Sequence, residues 1–176
     1  MNQQHAATGR RSSYRTLTIS AMFAAMITLT TAYLFHIPIG TNGGYLHFGD
    51  ALIYLAAAFL PLPYACIAAS IGGGLADFVS GVPIWILPTM IIKPLTAIWF
   101  TNKGALLCRR NVIALVLAGL VSNVGYYLAE VFFTGSWLAP LAFQWAGVVQ
   151  SGGSAAFFLL LAVTLDKLNI KKQLGL

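Results

Sequence analysis

The chain has 176 residues, of which 59% are apolar and only 8% charged, and its mean hydropathy is +0.81. A water-soluble domain carries about a quarter charged residues, so this composition excludes one. The net charge of +6 does not read as a nucleic-acid footprint, because the basic residues gather between apolar blocks rather than along one polar face, which is the pattern of cytoplasmic membrane loops.

Residues 1–15 read as a polar cytoplasmic tail holding Arg10, Arg11 and Arg15. The tail resembles the start of a signal peptide, but the apolar block behind it is too long for a signal core and ends without a small-residue cleavage site, so it reads as a retained helix. That first block covers 17–37 and stops at Pro38, which cannot continue a helix. A glycine-rich polar loop follows over 38–47. The second block, 48–60, ends at Pro61 and Pro63 and is short for a span; it is expected to be tilted, to cross a thin part of the protein, or to begin within the loop. The third block runs over 64–79 and closes at Ser80, Gly81 and Pro83, the fourth over 84–101, the fifth over 112–133 and the sixth over 141–165. The predicted fold is all-α: a compact six-helix membrane bundle over 16–166, between cytoplasmic tails at 1–15 and 167–176.

Nine of the ten Lys and Arg residues lie in the N-terminal tail, the linker 102–111 or the C-terminal tail. Six spans with a cytoplasmic N-terminus put all nine on one side, as the positive-inside rule requires; five or seven would misplace a cluster. Cys66 and Cys108 are too few for a disulfide framework and read as reduced thiols.

Polar groups inside a bilayer are costly and mark functional candidates. Lys93 lies in the middle of block four, and Asp50, Asp77 and Glu130 fall toward the outer ends of their blocks, with Asp166 at the cytoplasmic end of block six. Helical spacing groups Asn123, Tyr127 and Glu130 into one stripe, Trp85, Thr89, Lys93 and Thr96 into another, and Gly147, Gln150, Ser151 and Ser154 into a third, with Gln144 a turn farther out. With Asn42, Tyr45, His47 and Asp50 from the outer loop, these stripes are expected to converge on an outward-facing pocket. The same residues also suit inter-helix hydrogen bonding, and Asp77 with Lys93 suits a structural ion pair. His36 reads as interfacial, and Trp85, Trp137 and Trp145 fall where aromatic belts occur. The triplet Gly72 to Gly74 reads as close helix packing rather than a phosphate loop.

No zinc-protease, nucleophile-elbow or Walker motif is present, and the three histidines are scattered. No enzyme, metal or cofactor is expected. On block one, Ala21, Ala25, Thr28 and Ala32 put small side chains along one face, suited to internal packing or to a partner subunit.

The runs GDALIYLAAAFLP (49–61), GGGLADFVSG (72–81) and PTMIIKPL (88–95) resemble the substrate-binding S components of energy-coupling factor (ECF) vitamin importers, in the riboflavin-type branch that includes hydroxymethylpyrimidine and pyridoxine members. The resemblance implies a vitamin pocket near the outer side, built from the first outer loop and helices four to six. It implies delivery to a transmembrane T subunit and two cytoplasmic ATPases, with a small-xxx-small motif on helix one, here Ala21 and Ala25, at the T-subunit contact. It also implies toppling of the S component in the bilayer, for which the glycine-rich stretch 40–44 suits a lid. The expected ligand is hydroxymethylpyrimidine or pyridoxine first, riboflavin second and cobalamin a distant third, with Tyr45, Trp85, Tyr127 and Trp145 available for stacking. The rivals are a self-sufficient secondary transporter or channel with an Asp77/Lys93 relay, and an intramembrane enzyme using Glu130 or Asp77 as its acid.

Overall fold

The computed structural model describes residues 2–34, 36–38 and 45–174, with side chains from residue 14 onward. The described residues form an all-α protein: α1 (Asn2–Tyr33), α2 (Asp50–Phe59), α3 (Leu62–Val79), α4 (Ile86–Ala97), α5 (Arg109–Thr134), α6 (Gln144–Lys167) and α7 (Ile170–Gln173). One-turn 3-10 segments, Pro83–Trp85 and Ala139–Phe143, lead into α4 and α6. A two-residue antiparallel pairing joins β1 (Ile37–Pro38) to β2 (Tyr45–Leu46), with Ile37 opposite Leu46 and Pro38 opposite Tyr45. Asn42 and the expected lid at 40–44 lie outside the described residues.

Among the described residues, four helical stretches are long and apolar enough to cross a membrane: Tyr14–Tyr33, Leu62–Val79, Arg109–Thr134 and Ala139–Lys167. Two shorter apolar ones, Asp50–Phe59 and Pro83–Ala97, account for the second and fourth blocks. α1, α3, α4, α5 and α6 pack in that order side by side, and α2 fills the inside of the arc, touching α1, α3, α4 and α6. This explains the short second block. A helix apolar on every side belongs in an interior, and nine of the ten residues of α2 are buried. Tyr54 of α2 stacks on Phe100 at 5.0 Å and meets Phe158 of α6 edge-on. The outer faces instead carry exposed Leu17, Met22, Ile67, Ile71, Val116, Leu120 and Leu160, as surfaces wetted by acyl chains do.

Helix ends follow local chemistry. Pro61 and Pro63 start α3, where a missing N–H costs nothing. Block four was expected to run to 101, but α4 ends at Ala97, one turn after its internal Pro94. Proline has no N–H for the carbonyl four residues back, and Ser70 Oγ of α3 donates to that carbonyl, on Met90, at 2.9 Å. Gly135 ends α5 in the left-handed region at φ 65°, its N–H bonded to Val131 O. Gly72 lets α3 press against α1, since a Cβ there would stand 2.8 Å from the Ala24 carbonyl oxygen, while Gly73 faces Thr89 of α4.

The two ends of the bundle differ. At one end Asp166 accepts the backbone N–H groups of Leu106 and Leu107 at 2.9 Å each, Lys171 donates to the carbonyls of Asn102 and Gly104, and Arg15 reaches Gln173 O at 3.4 Å. These bonds gather the N-terminal part of the membrane stretch of α1, the 98–108 linker and the C-terminal segment together. Within the two expected tail regions, helix α1 already begins at Asn2, and the C-terminal segment carries α7 and folds back onto the linker. The opposite end carries the β pair and the cavity.

Candidate functional site

At the end away from these basic segments, a half-open cavity of about 150 Å³ lies between β2, the last turn of α3, the start of α4, the C-terminal half of α5 and the start of α6. Tyr45, Leu46 and His47 come from the β2 segment, Asp77 from α3, and Trp85 and Thr89 from the turn into α4. Helix α5 supplies Ser122, Asn123, Tyr126, Tyr127 and Glu130, and the α6 side supplies Pro140, Phe143, Gln144, Ala146, Gly147 and Gln150.

Eleven residues named from the sequence thus line the cavity: Tyr45, His47, Asp77, Trp85, Thr89, Asn123, Tyr127, Glu130, Gln144, Gly147 and Gln150. Asp50 and Lys93 do not line it. Lys93 Nζ donates to Asp50 Oδ1 at 2.6 Å, both side chains being fully enclosed, and lies 4.9 Å from the centroid of the Tyr126 ring. Because Tyr126 lines the cavity, this pair sits behind the wall. The Asp77–Lys93 pairing read from the sequence is corrected: α2 occupies the interior, so the inward stripe of α4 meets Asp50. The relay built on Asp77 and Lys93 loses its ion pair by the same geometry.

Polar bonding holds the wall in place. Gln150 Nε2 donates to Asp50 Oδ2 at 3.3 Å, and Gln150 Oε1 accepts the His47 N–H at 3.3 Å, tying β2 to α6 and both to the buried pair. Asn123 Nδ2 donates to Gly119 O and to Ser151 Oγ, and Gln144 Nε2 donates to Asn123 O at 3.2 Å. Thr89 Oγ1 and the Tyr126 hydroxyl are 3.0 Å apart. Trp85 meets Phe133 edge-on at 5.2 Å and Tyr126 at 5.7 Å. His47, in the loop ahead of α2, accepts the Gly49 N–H at Nδ1, and burial pushes its pKa down to about 3, leaving a neutral imidazole. Tyr45 donates to Asp77 Oδ1 at 2.7 Å, and Asp77 Oδ2, also buried, has no hydrogen-bond partner among the described residues.

Other expectations divide. Trp145 and Trp137 are exposed, so Trp145 leaves the set of stacking rings. His36 stacks on Tyr45 at 4.0 Å, outside the lining. The small-residue stripe of α1 splits: Ala21 and Ala25 are exposed, whereas Thr28 Oγ1 donates to Ala24 O and Gly72 O and Ala32 is buried. Tyr126, Ser122 and Phe143 also line the cavity, beyond the residues that the sequence pattern marks. Tyr126 follows Asn123 by three positions, so the α5 stripe already contained the signal; a helical stripe includes both i+3 and i+4.

The model of the family described as "ECF-type riboflavin transporter, S component" matches residues 11–167. A protein of Pyrococcus woesei described as an uncharacterized protein in a gap 3' region is 38% identical over 103 residues, covering 57% of this chain and 68% of that one. Taken with the all-helical apolar fold, the match establishes that the chain belongs to the S-component family of ECF-type riboflavin transporters and is a multi-pass cell-membrane transport subunit, not an enzyme.

Proposed function

We propose that this chain is the capture subunit of an ECF importer that takes up a small, single-ring, water-soluble vitamin or vitamin precursor, with hydroxymethylpyrimidine or pyridoxine first. The observation that carries this reading is the cavity itself. An enclosed space of about 150 Å³ takes up one benzene ring, and this cavity, of about 150 Å³, sets aromatic rings beside Asn, Gln and Asp groups suited to ring heteroatoms. Riboflavin is the second reading, favoured by the family's description; its three fused rings and sugar-alcohol tail exceed the ring-sized inner space and would reach out through the open side.

On this reading all six apolar helices sit in the bilayer as one bundle, and the basic end is cytoplasmic by the positive-inside rule. The cavity then opens outward, on the side bare of Lys and Arg. Delivery runs through docking on a transmembrane T subunit coupled to two ATPases, and exposed Ala21 and Ala25 let a partner helix approach closely.

Calorimetry on the purified chain tests capture. Hydroxymethylpyrimidine or pyridoxine is expected to bind without ATP, with a Kd on the order of micromolar or tighter, and no binding across the vitamin panel overturns the reading. Ala21→Trp tests docking: co-purification with the T subunit and ATPases is lost while ligand affinity stays within about twofold, as for other exposed substitutions. Equal loss of both would make the α1 face internal packing.

A further inference from the structure

The cavity wall is electrostatically one-sided. Among the described residues, Asp77 and Glu130 both line it, and no Lys or Arg does. Lys93, the basic residue nearest in the bundle, has its charge engaged by Asp50 at 2.6 Å behind the wall. His47 supplies no positive charge either, since its Nδ1 accepts a backbone N–H in a buried position.

Asp77 adds a more specific observation. Its residue is 4% exposed, one carboxylate oxygen accepts the Tyr45 hydroxyl, the Thr89 side chain stands close to the carboxyl group, and Oδ2 makes no hydrogen bond of good geometry among the described residues. A buried acceptor left unpaired is costly, the more so when charged, and native structures rarely keep one without a reason. Here the residue belongs to a cavity wall. The same wall carries Tyr45, Trp85, Tyr126 and Tyr127, and the faces of such rings attract cations.

We infer that the ligand of this chain is a cation: a single heteroaromatic ring with positive charge spread onto N–H groups, as in a protonated aminopyridine or aminopyrimidine, donating to Asp77 Oδ2 and resting against the aromatic wall. The inference rests on the capture reading and narrows it. A neutral flavin brings no charge to set against the Asp77 carboxylate, and a phosphorylated vitamin would bring another anion beside it. A ring-protonated amine satisfies the open oxygen and offsets the wall charge together.

Three probes of one ring size test it at neutral pH on the purified full chain: 4-aminopyridine, a cation; 4-hydroxymethylpyridine, neutral; and isonicotinate, an anion. The expected order of affinity is cation, neutral, anion, with the cation about tenfold or more ahead of the neutral probe, the margin a charged hydrogen bond provides. Asp77→Asn is expected to erase that margin while the neutral probe still binds, which also shows that the variant is folded. Equal or tighter binding of the neutral or anionic probe to the unaltered protein overturns the inference without need of any variant, as does binding of none of the three. Tight riboflavin binding that survives Asp77→Asn overturns the cation assignment and leaves vitamin capture standing. Absence of any ligand across the whole vitamin panel removes capture itself.

Discussion

Asp50 and Asp77 are both buried carboxylates in the half of the bundle that holds the cavity, and they are finished in opposite ways. Asp50 is closed on both oxygens, by Lys93 at 2.6 Å and by Gln150 at 3.3 Å, and it lies behind the cavity wall. Asp77 lies in the wall and is closed on one oxygen only, by Tyr45. A charge within a membrane protein is tolerated when it is paired. The completed pair therefore serves the fold, holding α2 to α4 at the centre of the arc, and the incomplete one is where a ligand has something to add. Gln150, which lines the cavity and donates to Asp50, joins the two regions by a hydrogen bond.

Breaking the completed pair gives the largest effect. Lys93→Met leaves the Asp50 carboxylate enclosed without its cation, and such a half-pair costs about 3–5 kcal/mol. Replacing both partners, Asp50→Leu with Lys93→Met, removes the stranded charge and is expected to recover much of that loss. Thermal unfolding in detergent measures both; a single variant as stable as the unaltered protein would mean that the pair does not hold the bundle.

Gln150→Leu tests the join and has a middle-sized effect. It removes the donor to Asp50 and the acceptor of the His47 N–H, two modest bonds worth about 1–2 kcal/mol together. Affinity should fall several-fold as well, since β2 then loses its tie to α6 across the cavity. Unchanged affinity with lowered stability would show that β2 keeps its place by other contacts and would separate the two regions.

The way the sequence sorted these residues has a physical basis. Membrane helices carry their polar residues inward, so periodicity was enough to bring Asn123, Tyr127 and Glu130 together with Gln144 and Gln150. Periodicity says which face a residue occupies and nothing about which helix it meets. Lys93 was on the inward stripe of α4 in either reading, and its partner depended on α2 being the enclosed helix, a fact of three-dimensional packing. The shortness of 48–60, and its apolar character on every side beyond Asp50, are the trace of that arrangement. The end of α4 at Ala97 was hidden for a related reason, because the cost of Pro94 is met by Ser70 on another helix.

The smallest effect concerns His47, which sits between the two carboxylates in the chain of contacts. Its folded pKa is lowered from the ordinary 6.5 to about 3, first by burial. A base whose folded pKa is depressed takes up protons more readily in the unfolded chain, so it lowers stability as pH falls below about 6.5 and stops doing so near 3. Above 6.5 both states hold it neutral, and it contributes no pH dependence. Melting temperature is therefore expected to be flat on account of His47 between pH 7 and 8.5, and to decline below 6.5 by no more than one proton's worth, about 1.4 kcal/mol per pH unit. His47→Gln, which keeps a side-chain acceptor for the Gly49 N–H, should remove that part of the acid decline. An undiminished decline in the variant would assign the acid sensitivity elsewhere. A melting temperature that instead rises as pH falls through 6.5, and no longer does so in His47→Gln, would show His47 protonated in the folded protein and would put a cation beside the wall, weakening the contrast between the closed pair and the open carboxylate.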